Sequence, residues 1–368
     1  MNFAVDKADH QDPGVKKKVF FILSSLASGG SERVFWNLAQ GFNKNKFEVT
    51  IVILDATVNC YSMDLDGVSF IDLKTKKASR SFFALYKVLK REKPYAVFST
   101  TDHINILVSL VSRFLTIPVL VARASNIPHE KRLFVGFKYK FYEHFTSFSY
   151  KGYKKIVCQS EEMKQSLIST YNVNPALITV IGNPLRYTPK VKEGKINKGK
   201  NYKLLVVARF ALEKGLERLV NIIAELPENY HLSMVGGGVL RDKIQQMAED
   251  MGLSPRVHFF GVVGNIQELM LQHDLMVLSS YTEGFPNVVL EALNIGLPVV
   301  TFKVSGIPGL IIDGFNGYVL PQNDYQGFKR RVIQACTSND WDATQIKNTV
   351  YQKYALDRIS AQYEDLIR

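Results

Sequence analysis

Short runs of β-branched and aromatic residues alternate with longer stretches of helical periodicity along nearly the whole chain. In the first half the runs fall at residues 19–26, 49–54, 68–73, 95–100, 119–122 and 156–159; in the second they fall at 203–208, 231–235, 257–260, 275–279 and 298–302. Such a rhythm calls for parallel pairing, because a parallel neighbour needs a crossover of a dozen or more residues, usually a helix. Meanders of hairpins and all-helical bundles do not fit it. Near Gly182-Asn183-Pro184 the rhythm breaks, and residues 189–201, rich in lysine, glycine and proline, follow without apolar periodicity. The chain of 368 residues is long enough for a full core on each side of this junction. We therefore expect an α/β protein with two tandem Rossmann-like doubly wound domains, residues 1–185 and 186 onward, with residues 1–15 frayed.

Charge separates the two halves. Residues 1–185 carry 25 basic and 15 acidic side chains, whereas residues 186–368 carry 21 and 19. The first half thus invites an anionic partner, either nucleic acid or an anionic membrane surface, and sign alone does not choose. No stretch of 18 apolar residues suggests a membrane-spanning helix. Lys16, Lys17 and Lys18 before an apolar run mimic the start of a secretory signal, but the run leads straight into a Gly-Gly turn and a helix, as the first strand of an α/β domain does. Three widely spaced cysteines favour neither disulfides nor a cysteine zinc site, which suits a reducing cytoplasm.

The unusual residues of the second half all follow expected strands. Arg209 and Lys214 come after 203–208, Gly236-Gly237-Gly238 after 231–235, Gly261 and Val262 after 257–260, and Glu283-Gly284-Phe285-Pro286-Asn287 after 275–279. Open parallel sheets bind ligands at the carboxyl ends of their strands. Glycines let backbone approach a phosphate, and two cations can neutralise a diphosphate, so a nucleotide-diphosphate ligand is indicated. Neither a P-loop nor a G-x-G-x-x-G fingerprint is present. Glu283 and Glu291 lie eight apart, with Pro286 expected in the first helical turn; a carboxylate in that helix can accept two ribose hydroxyls.

The stretch Glu283-Gly-Phe-Pro-Asn-Val-Val-Leu-Glu291-Ala-Leu, together with residues 209–215, Gly236 to Gly238 and Gly29-Gly30-Ser31-Glu32-Arg33, resembles the signatures of family 4 glycosyltransferases of the GT-B fold. The likeness runs over nearly the whole chain from Lys18. It implies an N-terminal acceptor domain, a nucleotide-sugar domain over 186–353, and a final helix within 354–368 that returns to the first domain. It implies a retaining enzyme without cofactor or catalytic metal, using a UDP-sugar or alternatively a GDP-sugar. Arg209 and Lys214 would hold the diphosphate and Glu291 the ribose. Glu283, with Gly284, Phe285, Pro286, Asn287 and Val288, would meet the sugar, Gly236, Gly238 and Val262 would line the donor site, and Gly29 and Gly30 would face it from the first domain.

Some features pull elsewhere. Asp64-Leu65-Asp66 matches a metal-binding D-x-D pattern, although it precedes a strand and suits a solvated turn. Asp102 and His103 open an apolar helix; Asp102 fits an N-cap, and both are also cleft candidates. Around Arg123-Ala124-Ser125-Asn126, where many relatives have histidine, there is none, which leaves acceptor activation open. Residues 129–155 interleave aromatics with seven Lys/Arg against two Glu, the pattern of an interfacial helix or of an ordinary surface helix. The expectation is a cytoplasmic, peripherally membrane-associated glycosyltransferase with a lipid-linked or envelope-glycan acceptor. A nucleotide-sugar epimerase and a basic nucleic-acid-binding protein are the competing classes; no known nucleic-acid module is visible.

Overall fold

In the computed structural model of the chain, the described residues are 15–27, 29–57, 60–125, 127, 138–186, 188, 190–192, 201–338 and 340–368; of 138–142 only the backbone is described. Thirteen strands are found among them, in two sheets. The first contains β1 (Lys17–Leu23), β2 (Phe47–Ile53), β3 (Val68–Asp72), β4 (Ala96–Thr100), β5 (Val119–Arg123), β6 (Lys155–Cys158) and β7 (Ile178–Val180), in the order β3-β2-β1-β4-β5-β6-β7. The second contains β8 (Tyr202–Val207), β9 (Tyr230–Val235), β10 (Val257–Phe260), β11 (Leu275–Leu278), β12 (Val299–Phe302) and β13 (Gly317–Leu320), in the order β10-β9-β8-β11-β12-β13. All neighbouring strands pair in parallel.

The two-residue side-chain period explains why the central strands are apolar throughout. Along β1, Val19, Phe21 and Leu23 enter one core while Phe20 and Ile22 enter the core on the opposite face. Burying each such side chain stabilises the fold by about 1.5–3 kcal/mol. In β8, Leu204 and Val206 pack into the second domain's outer core, while Leu205 joins a cluster that also contains β1 residues. One apolar cluster is therefore continuous across both sheets.

After the helix Ala343–Tyr354, Ala355 forms a bridge with Leu185, whose amide donates to Tyr354 O at 2.7 Å. The helix Leu356–Asp365 then lies against the helix Gly30–Gly41 of the first domain. Glu364 Oε1 accepts from Asn43 N at 2.7 Å, and the fully buried Tyr363 ring sits 5.8 Å from that of Phe98.

Two edge strands, β7 and β13, were not among the sequence expectations. Each has only three or four residues, and β13 opens with a glycine, so neither shows a run long enough to read. The expected junction at 189–201 and the segment 129–137 lie largely or wholly outside the described residues.

Candidate active site

Each sheet reverses its strand order at one place, between β1 and β4 and between β8 and β11, where the crevice of a doubly wound sheet forms. Arg209 and Lys214 leave β8, and Glu283 leaves β11, at this crevice of the second sheet. Lys214 Nζ lies 2.7 Å from both carboxylate oxygens of Glu283, and Ser280 Oγ donates to Glu283 Oε1 at 2.6 Å. The two loops are laced together. Ser279 Oγ donates to Lys214 O at 2.9 Å, and Tyr281 N donates to Glu213 O at 2.9 Å. Behind them the buried Arg218 donates to Ser279 O with its guanidinium 3.7 Å from the Tyr281 ring, and Gln322 Nε2 donates to Ser280 O at 3.2 Å.

Arg209 remains largely exposed, its Nη2 bonded to Glu213 Oε1 at 2.6 Å. Burial opposes ionisation of Glu213, yet its own backbone amide and Arg209 together hold the carboxyl below its ordinary range. The loop after β9 packs closely on the loop after β8. Gly238 has φ +147°, and a methyl group there would meet Phe210 O at 2.5 Å. Gly236 is in the same backbone region, and Val262 stands exposed after β10 on the same rim.

The helix is Asn287–Asn294, and Pro286, expected in its first turn, is instead its cap residue. Phe285 packs on Tyr354 with ring centroids 5.9 Å apart, and Val288 is partly buried in the first turn. The first domain closes on this loop. A methyl group at Gly284 would meet Ser125 O at 2.6 Å, and one at Gly30 would come within 3.1 Å of Asn287 Nδ2. Gly29 is the residue before the helix Gly30–Gly41. Glu291, deep in the crevice, is met by Arg33 of that same helix: Arg33 Nη1 lies 2.7 Å from Glu291 Oε1. Burial pushes the Glu291 carboxyl up and Arg33 opposes the rise.

On the first domain's rim, Asp102 and His103 follow β4. Asp102 is not the N-cap: Thr101 precedes the helix Asp102–Ser112, with φ +68°, an uncommon conformation for a β-branched residue. Asp64 and Asp66 lie exposed before β3, at the amino end of their strand and away from the crevice. Among the described residues no three His, Cys, Asp or Glu side chains converge to hold a metal ion.

Sequence reasoning did not single out Arg33, Ser280, Arg218, Asn183 or Arg123 as site residues. Arg123, buried at the end of β5, donates to Thr100 Oγ1 at 3.2 Å and to Asn183 Oδ1 at 2.6 Å; Asn183 Nδ2 donates to Asn287 Oδ1 at 2.6 Å. Only Arg33 stood inside a quoted signature, and nothing local marks its partner on the other domain.

Residues 28–186 match the family described as Glycosyltransferase Family 4, and residues 188–353 the family described as Glycosyl transferases group 1. Paired Rossmann-like domains with this crevice are the GT-B architecture, and the chain belongs to the family 4 glycosyltransferases. It is 26% identical over 275 residues, 70% of each chain, to the UDP-Gal:alpha-D-GlcNAc-diphosphoundecaprenol alpha-1,3-galactosyltransferase of Escherichia coli. To the GalNAc-alpha-(1->4)-GalNAc-alpha-(1->3)-diNAcBac-PP-undecaprenol alpha-1,4-N-acetyl-D-galactosaminyltransferase of Campylobacter jejuni it is 26% identical over 321 residues, covering 83% of this chain and 85% of that one. Anabaena HepE, solved in complex with UDP-glucose, superimposes with a TM-score of 0.78 at 18% identity, over 95% of this chain and 98% of that one.

Proposed function

We propose that this glycosyltransferase moves a sugar from a UDP-sugar to a glycan carried on a lipid diphosphate, with retention at the anomeric carbon. The observation that carries the reading is the Lys214–Glu283 pair at the β8/β11 crevice, with Glu283 on the loop leading into the helix that carries Glu291 and whose Asn287 lies close to Gly30 of the first domain. Lys214 has three N–H donors, and two oxygens of Glu283 leave one for a phosphate oxygen. Arg209 adds a second cation at the rim. As the bond from the anomeric carbon to the diphosphate breaks, charge on the leaving oxygen grows; these two cations and the amides that open the helix Asn287–Asn294 stabilise it. Glu283 accepts from sugar hydroxyls and Glu291 from the ribose. The names of the two relatives, a UDP-galactose enzyme and enzymes of undecaprenyl-diphosphate glycans, support this donor and acceptor class.

The acceptor reading brings a membrane surface with it. On the first domain the exposed Phe83 packs on the half-buried Phe82 at 5.3 Å, Phe82 packs on the exposed Phe114 at 5.8 Å, and Arg113 lies 4.1 Å from the ring centroid of Phe148 in the basic-aromatic segment. Lys77, Arg80, Lys87 and Lys151 are exposed on the same domain. Rings at headgroup depth with cations on anionic lipid make a peripheral anchor, and no helix among the described residues is long and apolar enough to cross a membrane.

The test is transfer by purified protein from a panel of UDP-sugars and GDP-sugars to a polyprenyl-diphosphate-linked sugar, followed by mass of the product. Release of UDP with a product one sugar longer, persisting in excess chelator, is expected. Sugar epimerised without acceptor, or activity abolished by EDTA and restored by Mn²⁺, overturns the reading.

A further inference from the structure

Arg33 stands in the first turn of its helix, where the macrodipole disfavours a cation. Its guanidinium crosses the cleft to Glu291 on the other domain. The contact runs from Nη1 to Oε1 at 2.7 Å. The Glu291 side chain is only 10% exposed, whereas that of Arg33 is 38% exposed. A carboxylate so far from water tends to take up a proton unless a cation stands beside it, and a protonated carboxyl is a poorer acceptor for hydroxyl groups.

We propose that Arg33 is a positioning residue for donor binding, holding Oε1 of Glu291 so that the carboxylate stays ionised and its second oxygen stays free for a ribose hydroxyl. The proposal rests on the assignment of the ribose to Glu291. It gives the first domain a share in nucleotide binding although Arg33 itself touches no part of the nucleotide.

The surroundings agree with an ionised carboxylate. Arg33 and Arg186 line a cavity of about 40 Å³ with Glu291, Asn37, Asn294 and Gln267. Arg186 lies over the Trp36 ring, 5.2 Å from its centroid. The carboxamide oxygens of Asn37 and Asn294 are buried without a partner, and Asn294 Nδ2 donates to Arg186 O at 3.4 Å. Tyr61, from the loop after β2, also faces the pair; burial pushes its phenol up, with Arg33 opposing and Glu291 and Glu32 reinforcing. Among the described residues, Arg33 is the charge that lowers the Glu291 carboxyl against the burial that raises it.

The sign follows directly. Binding that needs ionised Glu291 is lost as pH falls through its pKa, and removal of Arg33 raises that pKa, so the loss begins at higher pH. UDP affinity of Arg33→Met, measured by calorimetry from about pH 5.5 to 8.5, should fall about tenfold for each unit by which the pKa comes to exceed the working pH. Its acid limb should move upward relative to wild type, and Arg33→Lys should restore most of the affinity and the profile. The double variant Arg33→Met with Glu291→Gln should bind UDP no worse than Glu291→Gln alone, because Arg33 acts only through that carboxylate. This comparison also serves if Arg33→Met by itself folds poorly around an unpaired carboxylate. Tighter UDP binding by Arg33→Met, or a profile parallel to wild type, overturns the proposal. If Glu291→Gln and Glu291→Ala bind UDP as wild type does, the ribose assignment itself fails; weakening by these with no change in Arg33→Met rejects the role of Arg33 alone.

Discussion

Lys214 is bonded to both oxygens of Glu283, and the largely exposed Arg209 is bonded to Glu213. On the proposed reading, removing these cations deletes charge where the leaving diphosphate gains it, and it opens no core cavity. Arg209→Met with Lys214→Met should therefore lower turnover by about a hundredfold or more while the thermal midpoint changes little. Single-turnover kinetics checks this, and near-normal turnover removes both from the mechanism. Glu291→Ala acts on the ground state instead. It should cost about 1.5–3 kcal/mol of nucleotide-sugar affinity, read by calorimetry.

Among the elements, the helix Leu356–Asp365 ties the end of the chain to the first domain. Tyr363 is fully buried between the Phe98 ring and the Arg123 guanidinium; burial pushes its phenol up to about 12 and Arg123 opposes the shift. The hydroxyl stays protonated near neutral pH, so the ring contributes mainly by packing. Tyr363→Ala should destabilise the chain by about 3–5 kcal/mol, a large fall in the thermal midpoint. Because the same ring faces Arg123, which holds Asn183 and through it Asn287, the variant should also weaken acceptor-dependent turnover more than UDP binding. Equal losses in both would detach the final helix from the cleft.

For the whole molecule, the uneven charge makes a prediction about membranes. Cations close to an anionic surface contribute about 1 kcal/mol each, screened beyond a Debye length. Sedimentation with vesicles should rise with their anionic fraction and fall with salt. Lys131, Arg132, Lys138 and Lys140 all changed to serine, or Phe83 and Phe114 changed to serine, should reduce it while UDP affinity holds. Vesicle binding equal to wild type in both variants would leave the patch an ordinary surface.

The α/β class and most of the strands were legible because a strand buried on both faces must be apolar at consecutive positions, a property of five or six neighbouring residues. Strand-end placement of Arg209, Gly236 and Glu283 was legible for a related reason: each lies a few residues beyond such a run, and parallel topology delivers all those ends to one rim. The short edges β7 and β13 lacked that local signature. Contacts that cross the cleft left no trace in spacing at all. Arg33 on Glu291, Asn183 on Asn287 and Gly284 against Ser125 join segments remote in the chain, and each depends on how two separate sheets dock. Residue type and local order thus determined what each domain is and where its rim lies. The surroundings of the Glu291 carboxylate were decided only by tertiary structure, because the cation that faces it comes from the other domain.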